Sequence, residues 1–182
     1  AGLRREPLSA LHRAAAVVIT RSDQVSQSHL EHLIQSVAHH HPNAVCLAAA
    51  HRAKSLLQFP DQHLPLGHID GARVFAFCAI GNPQAFTDTL VGLGAEIVGR
   101  RAWPDHHAYS PEDLDWLSHW ATQHPDTKFV CTVKDWVKIR QATIGNSTLM
   151  ALCIEMEFLG DTGRLEELLK RLVESRPNNS TD

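Results

Sequence analysis

The sequence predicts an α/β fold with a mostly parallel sheet and flanking helices. Short apolar, β-branched runs alternate along the chain with stretches in which apolar residues recur at helical spacing. Short polar turns join these runs, a pattern typical of strand–helix–strand units. Hydrophobic residues make up 43% of the 182 positions, which is enough for an ordinary core at this length.

The first strand–helix–strand unit is predicted between residues 14 and 49. Residues 14–20 (AAAVVIT) and 44–49 (AVCLAA) have the composition of buried strands. Between them, Ser28 and Glu31 have the spacing of a capping box, and Pro42 follows as a helix stop. The helix should bury one apolar face: Leu30, Leu33, Ile34 and Val37.

The same alternation resumes after residue 70. Strands are predicted at 73–78, 95–98 and 128–132, and an extended strand or hairpin arm at 149–158. Helices are predicted at 83–93, where Pro83 suits the first position, and after the N-cap Ser110 with Pro111. A last helix at 163–173 should turn its leucines inward: Leu165, Leu168, Leu169 and Leu172.

Composition excludes several classes of protein. The chain has 17 Lys and Arg against 20 Asp and Glu, a formal charge of -3, which argues against a general nucleic-acid coat. No run is apolar enough for a transmembrane helix. The four cysteines lie far apart without a C-x-x-C pair, so reduced thiols are expected. Because the chain begins with neither Met nor a signal peptide, we expect it to be a piece of a longer protein.

No self-sufficient catalytic motif occurs in the sequence. A P-loop needs G-x-x-x-x-G-K-[ST], because its backbone N–H groups wrap the phosphates, and none of the ten glycines begins such a run. G-x-S-x-G, H-E-x-x-H and G-x-G-x-x-G are also missing from the sequence.

The densest polar cluster outside a helix is residues 104–109 (PDHHAY). It lies on a loop between a strand and a capped helix, where α/β proteins commonly place functional groups. Asp105 could orient a neighbouring imidazole for proton transfer or for supporting a developing anion. Alternatively, Asp105 and His106 cap the following helix or bond to the backbone.

Two further segments follow predicted strands. Residues 80–83 (IGNP) open a helix whose free N–H groups could meet a phosphate, although a tight turn needs the same residues. Residues 132–138 (TVKDWVK) put Lys134 and Lys138 four apart on one side of a short helix. Phosphate binding and a solvated face are both compatible with this second segment.

Four segments, taken in order, resemble the tetraacyldisaccharide 4'-kinases, the lipid A 4'-kinase family. They are Arg5-Glu6-Pro7 with Arg13 and Ala14, then 77–83 (FCAIGNP), 104–109 and 132–138. The resemblance implies transfer of the ATP γ-phosphate to the 4'-hydroxyl of a tetraacylated glucosamine disaccharide 1-phosphate. It also implies a two-domain α/β fold related to P-loop NTPases. Ala79 stands where the family usually has Gly, and Val133 where it usually has Glu.

The resemblance also assigns roles to residues. His106 matches a histidine that faces the family's catalytic aspartate, and Asp105 beside it is taken as catalytic too. Arg5 and Glu6 match a pair near the nucleotide. The implied substrate-binding residues are Asn82, His107, Tyr109 and Lys134. No metal ligand is expected in this chain, because the family's P-loop and metal-binding carboxylates precede the Arg-Glu-Pro motif. ATP and Mg²⁺ would therefore be bound mainly by an amino-terminal half.

On this interpretation the chain has five parts. Residues 1–50 complete the nucleotide-domain sheet, 51–70 are a linker, 71–140 form a smaller α/β domain, 141–175 are a return strand and helix, and 176–182 are a disordered tail. The expected partners are an acylated disaccharide phosphate lipid, the chain's own amino-terminal domain and, across an exposed sheet edge, a second copy, but no nucleic acid. The full-length protein would be cytoplasmic and peripheral to the inner membrane, and this piece alone would be inactive.

Two alternatives stay open. One is a non-catalytic module that binds a glycolipid or phosphosugar. The other is a metal-dependent phosphoesterase of the Asp-His-His type, in which carboxylates and imidazoles hold two metal ions. The second needs closely spaced upstream aspartates, and the only D-x-D, at Asp113 and Asp115, lies downstream in a predicted helix.

Overall fold

The computed structural model describes residues 6–174. In chain order its strands and α-helices are β1 (Ala16–Ile19), α1 (Gln27–His40), β2 (Val45–Gln58), β3 (Gln62–Leu64), β4 (Arg73–Cys78), α2 (Pro83–Gly92), β5 (Glu96–Ala102), α3 (Pro111–Gln123), β6 (Lys128–Thr132), α4 (Val133–Ile139), β7 (Thr143–Ile144), β8 (Ser147–Leu159) and α5 (Gly163–Glu174). Arg5 and the predicted disordered tail at 176–182 lie outside the described residues.

The chain forms two compact units, divided between Arg52 and Ala53 and again between Glu155 and Met156. The second unit is the continuous segment 53–155. The first unit consists of the segments before and after it, described here from 6 to 52 and from 156 to 174. Strands β2 and β8 each contribute residues to both units. The predicted assignment of parts of the chain to a nucleotide domain and a smaller domain stays a proposal.

The second unit is built on a parallel sheet in which β8, β6, β4 and β5 are successive neighbours. Cys78 lies opposite Ala102 across β4 and β5, and Cys131 lies opposite Ala151 across β6 and β8, all in parallel register. The α/β fold with a mostly parallel sheet is therefore confirmed.

Strand β4 is buried on both faces, because helices cover both sides of the sheet. Phe75 and Phe77 enter one core, which also contains Leu117 of α3. The alternate residues of β4 enter a second core under α2. That core includes Val74, Ala76 and Cys78 of β4 and Phe86 and Leu90 of α2. This alternation follows from the two-residue period of a strand, and it explains the continuous apolar run in the sequence.

Strand β2 is longer than the sequence predicts, so residues 51–58 of the expected linker are strand. The extension contains the charged residues Arg52 and Lys54, so it does not have the apolar composition that predicts a buried strand. Arg52 pairs with Glu157 at 3.2 Å and Lys54 with Glu155 at 3.5 Å, both on the neighbouring strand β8. At its end, β2 pairs with β3 in a short antiparallel hairpin, and residues Leu66–Ile69 of the expected linker form a 3-10 helix.

The N-cap of helix α1 lies two residues earlier than the sequence predicts. Ser26, not Ser28, is the N-cap, and its hydroxyl accepts a hydrogen bond from the backbone N–H of His29 at 3.3 Å. Ser28 lies inside the helix because Ser26 already has the extended backbone that an N-cap requires. The Ser28–Glu31 spacing is therefore not a capping box here.

The first unit pairs β1 with β2 in parallel register, with Ala16 opposite Val45. Its helix α5 forms where predicted, but Leu169 is 51% exposed and Leu172 is 53% exposed. The prediction that these two leucines face inward is therefore wrong for the described structure. Of the described helices, none combines the length and the apolar character that crossing a bilayer requires.

We predict that Gly99→Ala destabilises the second unit. A methyl group at Gly99 would lie 2.6 Å from the Phe75 ring and 2.8 Å from the Trp120 ring. Phe75 is also stacked on Phe129 at 5.1 Å, so the rings have little room to move. Urea unfolding followed by tryptophan fluorescence should show a loss of about 1–3 kcal/mol.

Gly92→Ala is the matched control for this substitution. Gly92 lies in α2 and has no atom within 4 Å of the added methyl group. Its stability should be unchanged or raised by up to about 1 kcal/mol. Equal unfolding midpoints for Gly99→Ala and the wild type would contradict the packing argument.

Candidate functional site

Two loops and one direct strand-to-helix junction of the second unit lie at the carboxyl ends of neighbouring parallel strands. Residues 79–81 follow β4, residues 103–109 follow β5, and Thr132 leads from β6 directly into α4. Because parallel strands end at the same edge of a sheet, these loops lie together. They contain the predicted site residues Asn82, Asp105, His106, His107, Tyr109 and Lys134, or lie directly beside them.

The buried carboxylate of Asp135 connects two of these strand ends. Its relative exposure is 0%, and its two oxygens accept from the backbone N–H of Ala79 at 3.3 and 3.2 Å. The Thr132 hydroxyl donates to it at 2.6 Å. These bonds compensate for the removal of the charge from water. Sequence reasoning did not single out Asp135, because a Thr-x-x-Asp spacing at a helix start looks like an ordinary cap.

Burial, and then the charge of the same carboxylate, keep two nearby acidic groups neutral. Burial raises the pKa of Cys78 to about 11, and the Asp135 charge adds to the effect. Burial and then Asp135 also raise the pKa of Tyr109. The Tyr109 hydroxyl oxygen is buried beside the Asp135 carboxylate, and it has no partner at ordinary hydrogen-bond geometry among the described residues. Tyr109 can therefore act only as a neutral hydrogen-bonding group near neutral pH, and Cys78 is not a thiolate nucleophile.

A second carboxylate, Asp113, organises the loop after β5. His107 Nε2 lies 2.7 Å from Asp113 Oδ2, Trp103 Nε1 donates to Oδ1 at 2.9 Å, and the Ser110 N–H donates to Oδ2 at 3.0 Å. Burial opposes ionisation, but the hydrogen bonds from Ser110, His107 and Trp103 outweigh it and lower the pKa of Asp113 to about 2. The imidazole of His107 is also stacked on Trp103. Its Nε2 is already engaged by Asp113.

Asp105 and His106 are arranged differently from His107. The His106 side chain is 82% exposed, and its Nε2 lies 3.8 Å from Asp105 Oδ2. Asp105 Oδ1 accepts from the His106 backbone N–H at 3.0 Å, and the His106 backbone has a left-handed φ of 65°. The following helix is capped by Ser110 with Asp113 in a full capping box. Helix capping by Asp105 or His106 is therefore not observed, whereas the predicted bond from Asp105 to the backbone is.

The remaining predicted residues lie in separate environments. Asn82 caps α2 by accepting from the Ala85 N–H at 3.1 Å. Lys134 is exposed and makes no hydrogen bond or ion pair within residues 6–174. Glu6 belongs to the first unit, where it is exposed and pairs with Arg13, and Arg5 lies outside the described residues. Val133, which replaces the family's Glu, packs against the core under α3.

A bound metal ion needs several ligating side chains placed close together. Among residues 6–174 there is no group of three or more His, Cys, Asp or Glu side chains placed to hold a metal ion.

Asp135→Ala should destabilise the second unit by about 2–4 kcal/mol, because it leaves the Ala79 N–H and the Thr132 hydroxyl buried without their acceptor. Urea unfolding measures the change. Asp115→Ala, which removes an exposed carboxylate from α3, is the control and should change the stability by less than about 0.5 kcal/mol. Equal losses for the two variants would contradict the anchoring role of Asp135.

Asp113 should make the stability acid-sensitive. Its pKa is about 2 in the folded state, below the usual value of about 3.9 for an unfolded chain. The stabilisation is therefore present above about pH 4 and is lost as the pH falls toward 2. Over this interval the unfolding free energy of the wild type should fall by about 2 kcal/mol more than that of Asp113→Asn. Parallel pH profiles for the two proteins would refute this.

Comparison with known proteins places the chain in a family. The family model described as LpxK, tetraacyldisaccharide-1-P 4'-kinase, matches residues 1–174. A tetraacyldisaccharide 4'-kinase of Halothermothrix orenii is 32% identical over 174 residues, covering 87% of this chain and 45% of that protein. One from Anaeromyxobacter sp. strain Fw109-5 is 33% identical over 181 residues, covering 92% of this chain and 45% of that protein. The chain thus spans about 45% of the length of these relatives.

A solved structure supports the fold. It is described as the "apo" form of LpxK from Aquifex aeolicus in complex with ATP, and it resembles this chain with a TM-score of 0.61 at 19% identity. The match covers 92% of this chain and 45% of that one. Since the family model extends over residues 1–174 and the motifs of the family occur in order, the chain belongs to the tetraacyldisaccharide-1-P 4'-kinase (LpxK) family.

Proposed function

We propose that this chain is the carboxyl-terminal part of an ATP-dependent kinase that phosphorylates the 4'-hydroxyl of tetraacyldisaccharide 1-phosphate in lipid A biosynthesis. The family match over residues 1–174 carries the proposal, and the exposed His106 imidazole at the carboxyl end of the sheet supports it. The chain spans about 45% of its relatives. We propose that the P-loop and most contacts to ATP and Mg²⁺ belong to the length that it does not cover.

His106 is the proposed catalytic contribution of this chain. Phosphoryl transfer depends mainly on positioning and on stabilising charge, so a well-placed imidazole can tune a base supplied by another segment. Asp105 holds the backbone turn that presents His106, by accepting its N–H at 3.0 Å. The neighbouring His107 cannot substitute for it through Nε2, which Asp113 holds at 2.7 Å. This division of the two imidazoles argues for one catalytic histidine rather than a pair of metal ligands.

ATP with Mg²⁺ supplies the transferred phosphoryl group and neutralises its charge. Glu6, with Arg5, is the proposed contact of this chain to the nucleotide. Its carboxylate is exposed and pairs with Arg13, so it fits a contact at the margin of a nucleotide site rather than a metal centre. The other groups that bind the nucleotide would come from outside this chain.

The proposed substrate-binding residues differ in what they can offer. Lys134 is exposed and unpaired within the described residues, so it is suited to meet a phosphate or sugar oxygen directly. The Tyr109 hydroxyl is neutral but buried, so Tyr109 would act by supporting the loop beneath the substrate rather than by contacting it. Asn82 and His107 are engaged in a helix cap and in the Asp113 network, so they would act by shaping the loops on either side of the substrate.

The first unit supports the proposal of an amino-terminal partner domain. Both apolar core clusters consist of residues from the second unit, whereas the first unit exposes Ile34, Met156, Leu169 and Val173 by 37% to 73%. A covering domain would remove these side chains from water. We propose that the amino-terminal half covers them, and that the isolated piece is inactive or pairs with a second copy. The complete enzyme is proposed to be cytoplasmic and peripheral to the inner membrane, where its lipid substrate lies.

His106→Ala in the full-length protein should lower kcat by about 100-fold and change the KM for ATP by less than about threefold, since loss of a proton-handling group affects the chemical step more than binding. Transfer of labelled phosphate from ATP to tetraacyldisaccharide 1-phosphate measures both values. His119→Ala removes an exposed histidine from α3 and is the control, with the expected kcat of the wild type. An unchanged kcat in His106→Ala would exclude the proposed role.

The same assays separate the alternatives. If the full-length protein binds the glycolipid but transfers no phosphate, the chain is part of a binding module. If it cleaves a phosphodiester with Mn²⁺, and His106→Ala abolishes the cleavage, the phosphoesterase interpretation replaces the kinase.

A further inference from the structure

A cavity of about 400 Å³ opens between α2 and the edge strand β5. Its floor is apolar and is formed by Ala76 and Cys78 of β4 and Phe86 of α2. Gln84 and Arg100 stand at its rim. The volume lies within the range of small-molecule sites, which combine mostly apolar walls with a few polar groups that fix orientation.

One cation is available at this cavity. The guanidinium of Arg101 is already held between Trp103, at 4.5 Å, and Trp116, at 4.0 Å. Arg100, in contrast, is exposed, and within residues 6–174 its side chain donates only to the Gln84 side-chain oxygen, at 3.0 Å. The Gln84 nitrogen in turn donates to Asp88 at 2.7 Å, which directs the amide oxygen toward Arg100.

The described residues that line the cavity include no acidic side chain. Among the lining residues, the charge that a ligand meets is therefore that of Arg100, which can form two parallel hydrogen bonds to a phosphate. The Asp88 carboxylate is bound to the other end of the Gln84 amide. The pocket thus combines an apolar interior with an anion-binding rim, and these two properties suit an amphiphilic anion better than either an inorganic ion or a neutral lipid.

The cavity lies beside the proposed catalytic loop. Cys78 and Ala102, which both line it, are the last residues of β4 and β5 and lie opposite each other in the sheet. Beyond them the two loops meet, since a methyl group added at Gly81 would come within 3.7 Å of Asp105 Oδ2. A ligand in the cavity would therefore extend from the same sheet edge that carries Asp105 and His106.

We propose that this cavity binds a phosphomonoester that carries an acyl or alkyl chain, with the chain over Phe86 and the phosphate at Arg100. In naming the lipid substrate as the natural ligand, the proposal rests on the proposed function. There the cavity would hold one acyl chain and the existing 1-phosphate of the substrate, leaving its 4'-hydroxyl free for His106. The binding itself requires no phosphoryl transfer and can be measured separately.

Isothermal titration of the 182-residue chain with monododecyl phosphate, kept below its aggregation concentration, tests the proposal. We expect one molecule to bind, with inorganic phosphate and the neutral dodecyl maltoside each binding at least about tenfold more weakly. Arg100→Ala should weaken monododecyl phosphate binding about tenfold or more, because a charge-assisted hydrogen bond is lost. Arg100→Lys should restore part of the affinity by keeping the charge.

Two further variants test the location. Thr87→Phe places a ring at the wall of the cavity and should weaken binding of the alkyl phosphate at least about tenfold. Arg73→Ala removes an exposed arginine from the opposite end of β4 and should leave the affinity unchanged. Far-ultraviolet circular dichroism and the unfolding midpoint establish that each variant is folded. Wild-type affinity in both Arg100→Ala and Thr87→Phe, or equal affinity for inorganic phosphate and monododecyl phosphate, would overturn the proposal.

Failure of this proposal is distinguishable from failure of the proposed kinase activity. If the chain binds monododecyl phosphate as expected but the full-length protein transfers no phosphate, the cavity assignment stands and the kinase does not. If the full-length protein is an active kinase and Arg100→Ala leaves its KM for the lipid unchanged, the cavity assignment fails alone.

Discussion

The hydrogen bonds of the Asp135 carboxylate are the constraint on which the candidate site depends. A fully buried charge is tolerable only where its oxygens are satisfied, and here the Ala79 N–H and the Thr132 hydroxyl satisfy them. These donors belong to the ends of two different strands, β4 and β6. The carboxylate therefore fixes the edge of the sheet from which the loops depart, and at the same time its field disfavours ionisation of Cys78 and Tyr109.

Asp113 has a complementary role one loop away. Its carboxylate contacts the side chains of His107 and Trp103 and the Ser110 N–H. The bond to Ser110 is also part of the capping box of α3, the helix that contains Asp113. Since the polar groups on this side of the loop are satisfied internally, the exposed pair Asp105 and His106 is what the loop presents to a partner. The buried Asp135 and the partly buried Asp113 thus build the support, and the exposed carboxylate and imidazole of Asp105 and His106 carry the proposed chemistry.

Much of the fold could be predicted from the sequence because its signals are local. The buried run of β4 at residues 73–78 and the Ser110-Pro111 start of α3 are specified by neighbouring residues alone. The extension of β2 could not be predicted in this way, because it lies beside β8, where the residue near Lys54 is Glu155, about a hundred positions away in the chain. The helical pattern of α5 likewise predicts an apolar face but not what covers it.

The candidate site shows the same limit. The position of the 104–109 cluster at a strand end could be predicted, and so could the presence of an acid beside an imidazole. Which histidine is held and which is free could not, because the distinction depends on Asp113 reaching back from α3 to His107. The role of Asp135 was equally hidden, since its partner Ala79 lies in the loop after β4, 56 positions away. Contacts between loops that are distant in sequence leave no periodic signal.

The left-handed backbone of His106 creates a trade-off at one residue between the stability of the loop and the proposed activity. A φ of 65° is easy for glycine, whereas a residue with a β-carbon meets a steric cost of about 1 kcal/mol there. An engineer who optimised this loop for thermal tolerance would therefore choose glycine at position 106 and would remove the imidazole in the same step.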